Sequence, residues 1–239
     1  MTEIVEINSS IDWLAEAYHG AADLSKKPWM EAYMRNQFAF IGVPAPVRKS
    51  IQKQWFKEVA SVKTSEDLIE LVKLLYESNE REFQYTAIDL LAARHRLLSD
   101  VQMQNLLEKC ITTKPWWDTV DFLATNIVGK WLYDRKELQK EIGQRWLNSK
   151  HLWLMRSALL FQLKYKEKTD FDLLHHYILS LADHRDFFIQ KAIGWALREY
   201  SKTNPKQIDT FVKQHDKILS NLAKREALKW TKRLKYADN

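Results

Sequence analysis

Five stretches decide the fold: EFQYTAIDL (82–90), WDTVDFLAT (117–125), LWLMRSALL (152–160), FFIQKAIGW (187–195) and LAKREALKW (222–230). Their starts fall 35 residues apart. The fifth position of each carries Thr86, Asp121, Arg156, Lys191 and Glu226 in turn. The sixth carries Ala87, Phe122, Ser157, Ala192 and Ala227, mainly small side chains that let helices approach closely. The ninth carries Leu90, Thr125, Leu160, Trp195 and Trp230. A period near 35 with two helices per unit is the mark of an α-solenoid. The Trp, Gly and Tyr pattern of tetratricopeptide repeats is absent, so the expected fold is an all-α array of HEAT-like repeats.

Helical periodicity extends outward from these stretches. In EDLIELVKLLYE (66–77), Leu68, Leu71, Val72 and Leu75 form one apolar stripe. The same spacing predicts helices over 82–98, 102–111, 117–132, 137–147, 152–166, 171–181, 186–201, 206–214 and 221–236. The breaks are short and carry proline or capping residues: Gly42-Val43-Pro44-Ala45-Pro46, Thr113-Lys114-Pro115, Asn148-Ser149-Lys150 and Thr203-Asn204-Pro205. No Gly/Ser linker divides the chain, so one domain over 1–239 is expected. Only 5 Gly and 5 Pro in 239 residues argue against a turn-rich β architecture.

Composition narrows the function. Hydrophobic residues make up 46% of the chain, enough for a substantial core. The formal charge of +6 suits a polyanionic partner without demanding one. The lone Cys110 excludes an internal disulfide and a cysteine zinc cluster, and reads as a small buried apolar residue. The start, MTEIVEINSS, places acids where a secretory signal has bases, and no segment has the apolar length of a membrane span. A cytoplasmic monomer is the expectation.

Residues spaced i, i+4 and i+8 share a helix face. Stacked repeats should therefore bring Trp117, Asp121, Arg156, Lys191 and Trp195 onto one surface, with Lys164 and Arg198 a turn further along two of the helices. Two simpler roles compete: the tryptophans fill gaps between helices, and Asp121 pairs with Arg156 across a repeat boundary. An aspartate, an arginine and a lysine at equivalent positions make a costly core stripe, which favours an exposed binding face. His175 and His176 are adjacent and point to different sides of a helix, so with Asp172 nearby they still make no metal site. Glycine-rich phosphate loops and nucleophile-base spacings are absent as well. The tail from Lys224 and Arg225 to Lys235 interleaves bases with Leu and Trp, as an amphipathic terminal helix does.

These residues lie in segments that resemble, in order, those of the AlkD family of HEAT-like repeat DNA glycosylases. The segments are MEAYMRNQFAFIGVPAPVR (30–48), REFQYTAIDLL (81–91), TKPWWDTVD (113–121), LWLMRSALLFQLKYK (152–166) and FFIQKAIGWALREYSKTNP (187–205). The resemblance covers nearly the whole chain. It implies excision of cationic alkylated purines, such as 3-methyladenine and 7-methylguanine, from double-stranded DNA. It makes Asp121 the catalytic carboxylate, Trp117 and Trp195 the aromatics against the lesion's deoxyribose, and Arg156 a backbone contact near the lesion. Tyr33 matches the tyrosine of an N-terminal helix that enters the minor groove, and the segment 23–37 that carries it is present here. Lys164, Lys191 and Arg198 complete the expected DNA-binding set. Ala45 departs from the pattern: relatives commonly have a hydroxyl there, so the resemblance does not carry one phosphate contact over to this chain.

The implied chemistry needs no metal or cofactor. Alkylation at N3 or N7 makes the purine a cationic leaving group, and a carboxylate can stabilise the oxocarbenium-like sugar. Indole faces also favour a cation. The family is expected to act with the modified base still in the duplex, and to leave an abasic site without cutting the strand. Two other readings stay open: a non-catalytic DNA-binding paralogue, and a HEAT-type scaffold for a protein.

Overall fold

Where each helix begins follows from local hydrogen bonding. Thr64 accepts from the Asp67 amide while the Asp67 carboxylate accepts from the Thr64 amide, a reciprocal cap that starts Ser65–Glu77. Ser99 and Gln102 do the same for Asp100–Thr112. Asp170, Asp186, Asn204 and Ser220 cap Phe171–Ser180, Phe187–Tyr200, Pro205–Gln214 and Asn221–Ala227 through their side chains. The structure is a computed structural model that describes the backbone of residues 2–237 and the side chains of residues 7–233. Among these residues there is no β-strand, only a bridge between Ala39 and Glu80. No helix among them is long and apolar enough to cross a membrane. The architecture is all-α, of the α-solenoid kind. It gathers into two compact units, Met1–Lys114 and Pro115–Asn239.

In the first unit the stripe Leu68, Leu71, Val72 and Leu75 is fully buried, together with Leu14 and Trp55. A polar knot sits within that core. The Thr86 hydroxyl donates to the Glu82 carbonyl at 2.9 Å, so it accepts from the Tyr18 hydroxyl at 2.6 Å and from Gln52 Nε2 at 2.8 Å. The Glu82 carboxylate accepts the amides of Ile41, Gly42 and Val43, which fixes the proline-flanked loop. Gly42 is required there: its φ is +103°, and a Cβ would lie 2.8 Å from the Asp23 carbonyl oxygen.

In the second unit the helices one period apart pack neighbour on neighbour: the rod over 117–132, then Leu152–Leu160, Phe187–Tyr200 and Asn221–Ala227. Ser157, Ala192 and Ala227 of the small-residue column are fully buried. The rod is helical throughout but widens to a π-type turn over Leu123–Val128, where Thr125 and Asn126 bond back to the Asp121 and Phe122 carbonyls.

Three expected helices differ from the observed ones. The one over 82–98 is α-helical only to Arg94 and closes in a 3-10 turn over His95–Leu97. The one over 152–166 stops at Leu160. Past it, Tyr165 is buried and donates to the Gly129 carbonyl at 2.7 Å, while Gln162 bonds both backbone groups of Asp170. Those anchors hold the chain in turns, so Lys164 lies on a turn and not one turn along the helix. The segment 221–236 is two helices, Asn221–Ala227 and Lys229–Ala237, parted at Leu228.

Candidate functional site

The site in the second unit is built around one ion pair. Arg156 Nε donates to Asp121 Oδ1 at 2.7 Å and Nη2 to Oδ2 at 2.8 Å, the parallel two-bond geometry that suits a planar guanidinium. Nη1 donates to the Phe188 carbonyl. Beside them Trp116, Trp153 and Phe188 form one aromatic cluster, with ring centroids 4.9–5.8 Å apart. The Arg156 side chain is only 4% exposed. Of the two roles open to Asp121 and Arg156, pairing across the repeat boundary is therefore realised. Arg156 is buried where an exposed contact was expected, because its donors serve Asp121 and Phe188. Burial holds the Asp121 carboxyl above its ordinary value; Arg156 opposes this and the nearby Asp118 adds to it.

Trp117, at the start of the helix that carries Asp121, is half-buried. Trp195 is half-buried on Phe187–Tyr200, four residues after Lys191 and three before Arg198. Those two cations converge on one carboxylate: Lys191 Nζ is 2.8 Å and Arg198 Nη1 2.9 Å from Glu226, which also takes Lys229 Nζ at 2.6 Å. Glu226 is buried, and burial by itself would raise its carboxyl. The bonds and charges of Lys191 and Lys229 overcome that and bring it down to about 2. Sequence reading placed Glu226 in the repeat column and gave it no role. The signal was there: 35 residues separate the partners in both Asp121–Arg156 and Lys191–Glu226. Lys164 is exposed and donates to Asn126 Oδ1.

In the first unit the helix Lys27–Tyr33 buries none of its residues. Tyr33 is 60% and Trp29 77% exposed, and their rings stack at 6.5 Å with 6° between planes. An aromatic pair carried on an unburied helix stays available to a partner. Ala45 is exposed at the start of Ala45–Gln54.

The remaining candidates serve the fold. Cys110 is buried, which pushes its thiol up to about 12. His175 packs edge-on against Phe211 at 5.0 Å, and His176 bonds Gln144. Among the described residues no group of three or more His, Cys, Asp or Glu could hold a metal ion. Lys224 pairs with Asp216, and the side chain of Lys235 lies outside the described residues.

Comparison with known proteins agrees with this picture. A solved structure named "Predicted DNA alkylation repair enzyme from Enterococcus faecalis" is similar to this chain at 37% identity and a TM-score of 0.80. The match covers 87% of this chain and 96% of that one. No curated protein matches. The family model described as DNA alkylation repair enzyme matches residues 14–231, which span both the Tyr33 helix and the Asp121–Glu226 column. By that match the chain belongs to the DNA alkylation repair enzyme family.

Proposed function

We propose that this protein is a monofunctional DNA glycosylase that excises cationic N3- and N7-alkylated purines from double-stranded DNA. The observation that carries the reading is Asp121, a carboxylate held in one orientation by both prongs of Arg156. It lies one helical turn from Trp117 and two repeats from the cation-flanked Trp195. As the C1′–N bond of the lesion breaks, its electrons leave with the base, which departs neutral. Positive charge grows on the sugar, and Asp121 stabilises it without having to move. Water then adds to C1′ and releases a proton to solvent. Trp117 and Trp195 offer indole faces to the cationic lesion. Lys164, Lys191 and Arg198 meet phosphates, and Tyr33 enters the minor groove. This reading needs neither cofactor nor metal, and the base reacts without leaving the duplex.

The Asp121–Arg156 pair also lends itself to a second reading, a DNA-binding protein in which Asp121 is only a structural partner. Incubation with duplex DNA containing 7-methylguanine separates the two. Release of free 7-methylguanine, leaving alkali-labile abasic sites in otherwise intact strands, is expected of a glycosylase. Binding with no release would leave the second reading standing.

A further inference from the structure

Glu226 holds three cations on a single buried carboxylate. Its side chain is 3% exposed, whereas Lys191, Arg198 and Lys229 each keep part of their surface in solvent. Lys191 and Lys229 bond Oε1, and Arg198 bonds Oε2. A pair made for stability balances its charges, but here two positive charges remain in excess on the outer side. Crowding like charges is unfavourable until an anion joins them. The carboxylate reaches this position because Gly194 faces it: a Cβ at 194 would lie 2.5 Å from Glu226 Cβ. Lys191, Trp195 and Arg198 follow one another at i, i+4 and i+7, so the two cations flank the indole on one helical face.

We infer that Glu226 is a positioning residue that gathers Lys191, Arg198 and Lys229 beside Trp195 into a seat for one backbone phosphate of the DNA. The inference rests on the DNA-binding reading above, and it adds Lys229 and the carboxylate beneath the cluster. Long cationic side chains ordered before binding lose less freedom when the phosphate arrives. Arg198 and the two lysines then meet a phosphodiester from three directions, and no base is read.

The test rests on a sign. Glu226→Gln raises the local charge by one, and attraction alone would then tighten binding to a polyanion. Loss of positioning weakens it. Full-length protein and the Gln variant are titrated with a fluorescent duplex containing 7-methylguanine over a range of salt, below both melting temperatures. Weaker binding by Glu226→Gln is expected, with the salt slope of log K smaller by about one unit or more. Glu226→Asp, which keeps the charge on a shorter stem, should fall in between. Lys229→Gln tests the same seat should the Glu226 variants fold poorly, and is expected to lower the slope by about one unit. A carboxylate that serves only stability would lower the melting temperature of Glu226→Gln and leave the slope as it was. That result, or equal or tighter binding by Glu226→Gln, or an unchanged slope in Lys229→Gln, overturns the inference. If the unaltered protein binds no duplex, the DNA reading falls with it; if it binds and excises while the variants behave alike, this inference falls alone.

Discussion

Arg156 grips Asp121 with two parallel hydrogen bonds of 2.7 and 2.8 Å and spends a further donor on the Phe188 carbonyl. The pair joins two consecutive repeats, so it serves the fold as well as the site. Removing one partner leaves a buried charge uncompensated. Arg156→Ala should therefore cost about 3–5 kcal/mol, read from denaturant unfolding. Replacing both, as Asp121→Leu with Arg156→Met, should cost clearly less, since no orphan charge remains. A double-variant loss equal to the sum of the losses in the two single variants would show that the pair is not energetically coupled.

The carboxyl of Asp121 is raised above its ordinary 3.8 by burial. If its ionised form stabilises the developing sugar cation, excision declines as pH falls through that raised value. The acid limb of the single-turnover rate, after subtraction of spontaneous depurination, should lie above pH 3.8. A rate that stays flat down to pH 3.8 would mean that ionised Asp121 is not required.

Glu226 titrates the other way. Its carboxyl lies at about 2 in the folded chain against an ordinary 4.5. The stability this contributes is present above pH 4.5 and is lost as pH falls toward 2. The stability difference between the unaltered protein and Glu226→Gln should narrow across that window when followed by unfolding at stepped pH. A difference that stays constant would mean the three cations do not hold the carboxylate ionised.

Gly194→Ala sets two effects against each other. Alanine gains about 1 kcal/mol of helix propensity. Its Cβ, however, would meet Glu226 Cβ at 2.5 Å and the Ala223 carbonyl oxygen at 2.9 Å. The backbone oxygen cannot swing aside, and overpacking of this kind costs about 1–3 kcal/mol. Net destabilisation is expected in thermal melts, with weaker DNA binding as the Phe187–Tyr200 and Asn221–Ala227 helices part. A more stable variant would show that the two helices have room to adjust.

Tyr33 and Trp29 stack with most of their own surface in solvent, so neither closes an end of the core. Tyr33→Ala should weaken binding to damaged duplex and slow excision while the melting temperature barely moves. A clear drop in melting temperature with normal activity on the folded protein would make Tyr33 a structural cap instead.

The repeat was legible because its cause is periodic: helices stacked every 35 residues need small side chains at the crossing, and Ser157, Ala192 and Ala227 supply them. The shared repeat position of Asp121, Arg156 and Lys191 was legible on the same ground. Sequence spacing offers the Asp121–Arg156 pair as one of two roles and cannot decide between pairing and exposure. The exposed face expected for Arg156 gave way to an ion pair, because repeats one period apart approach closely enough for the guanidinium to reach Asp121. The end of the helix at Leu160 was hidden for a related reason. It depends on Tyr165 finding the Gly129 carbonyl 36 residues away, while local propensity favours continuing the helix.

The role of Asp121 is tested most directly by single-turnover release of 7-methylguanine from duplex DNA by the unaltered protein and by Asp121→Asn. Both should be assayed at saturating protein, where both are folded. The unaltered protein is expected to release the base, and Asp121→Asn to do so about a hundred-fold more slowly, the scale of losing one fixed electrostatic stabiliser. Binding of the two to the same duplex should differ little, because a carboxylate adds nothing to phosphate attraction. Equal release rates in the two proteins, or no release by the unaltered protein, would contradict the assignment of Asp121 as the catalytic carboxylate.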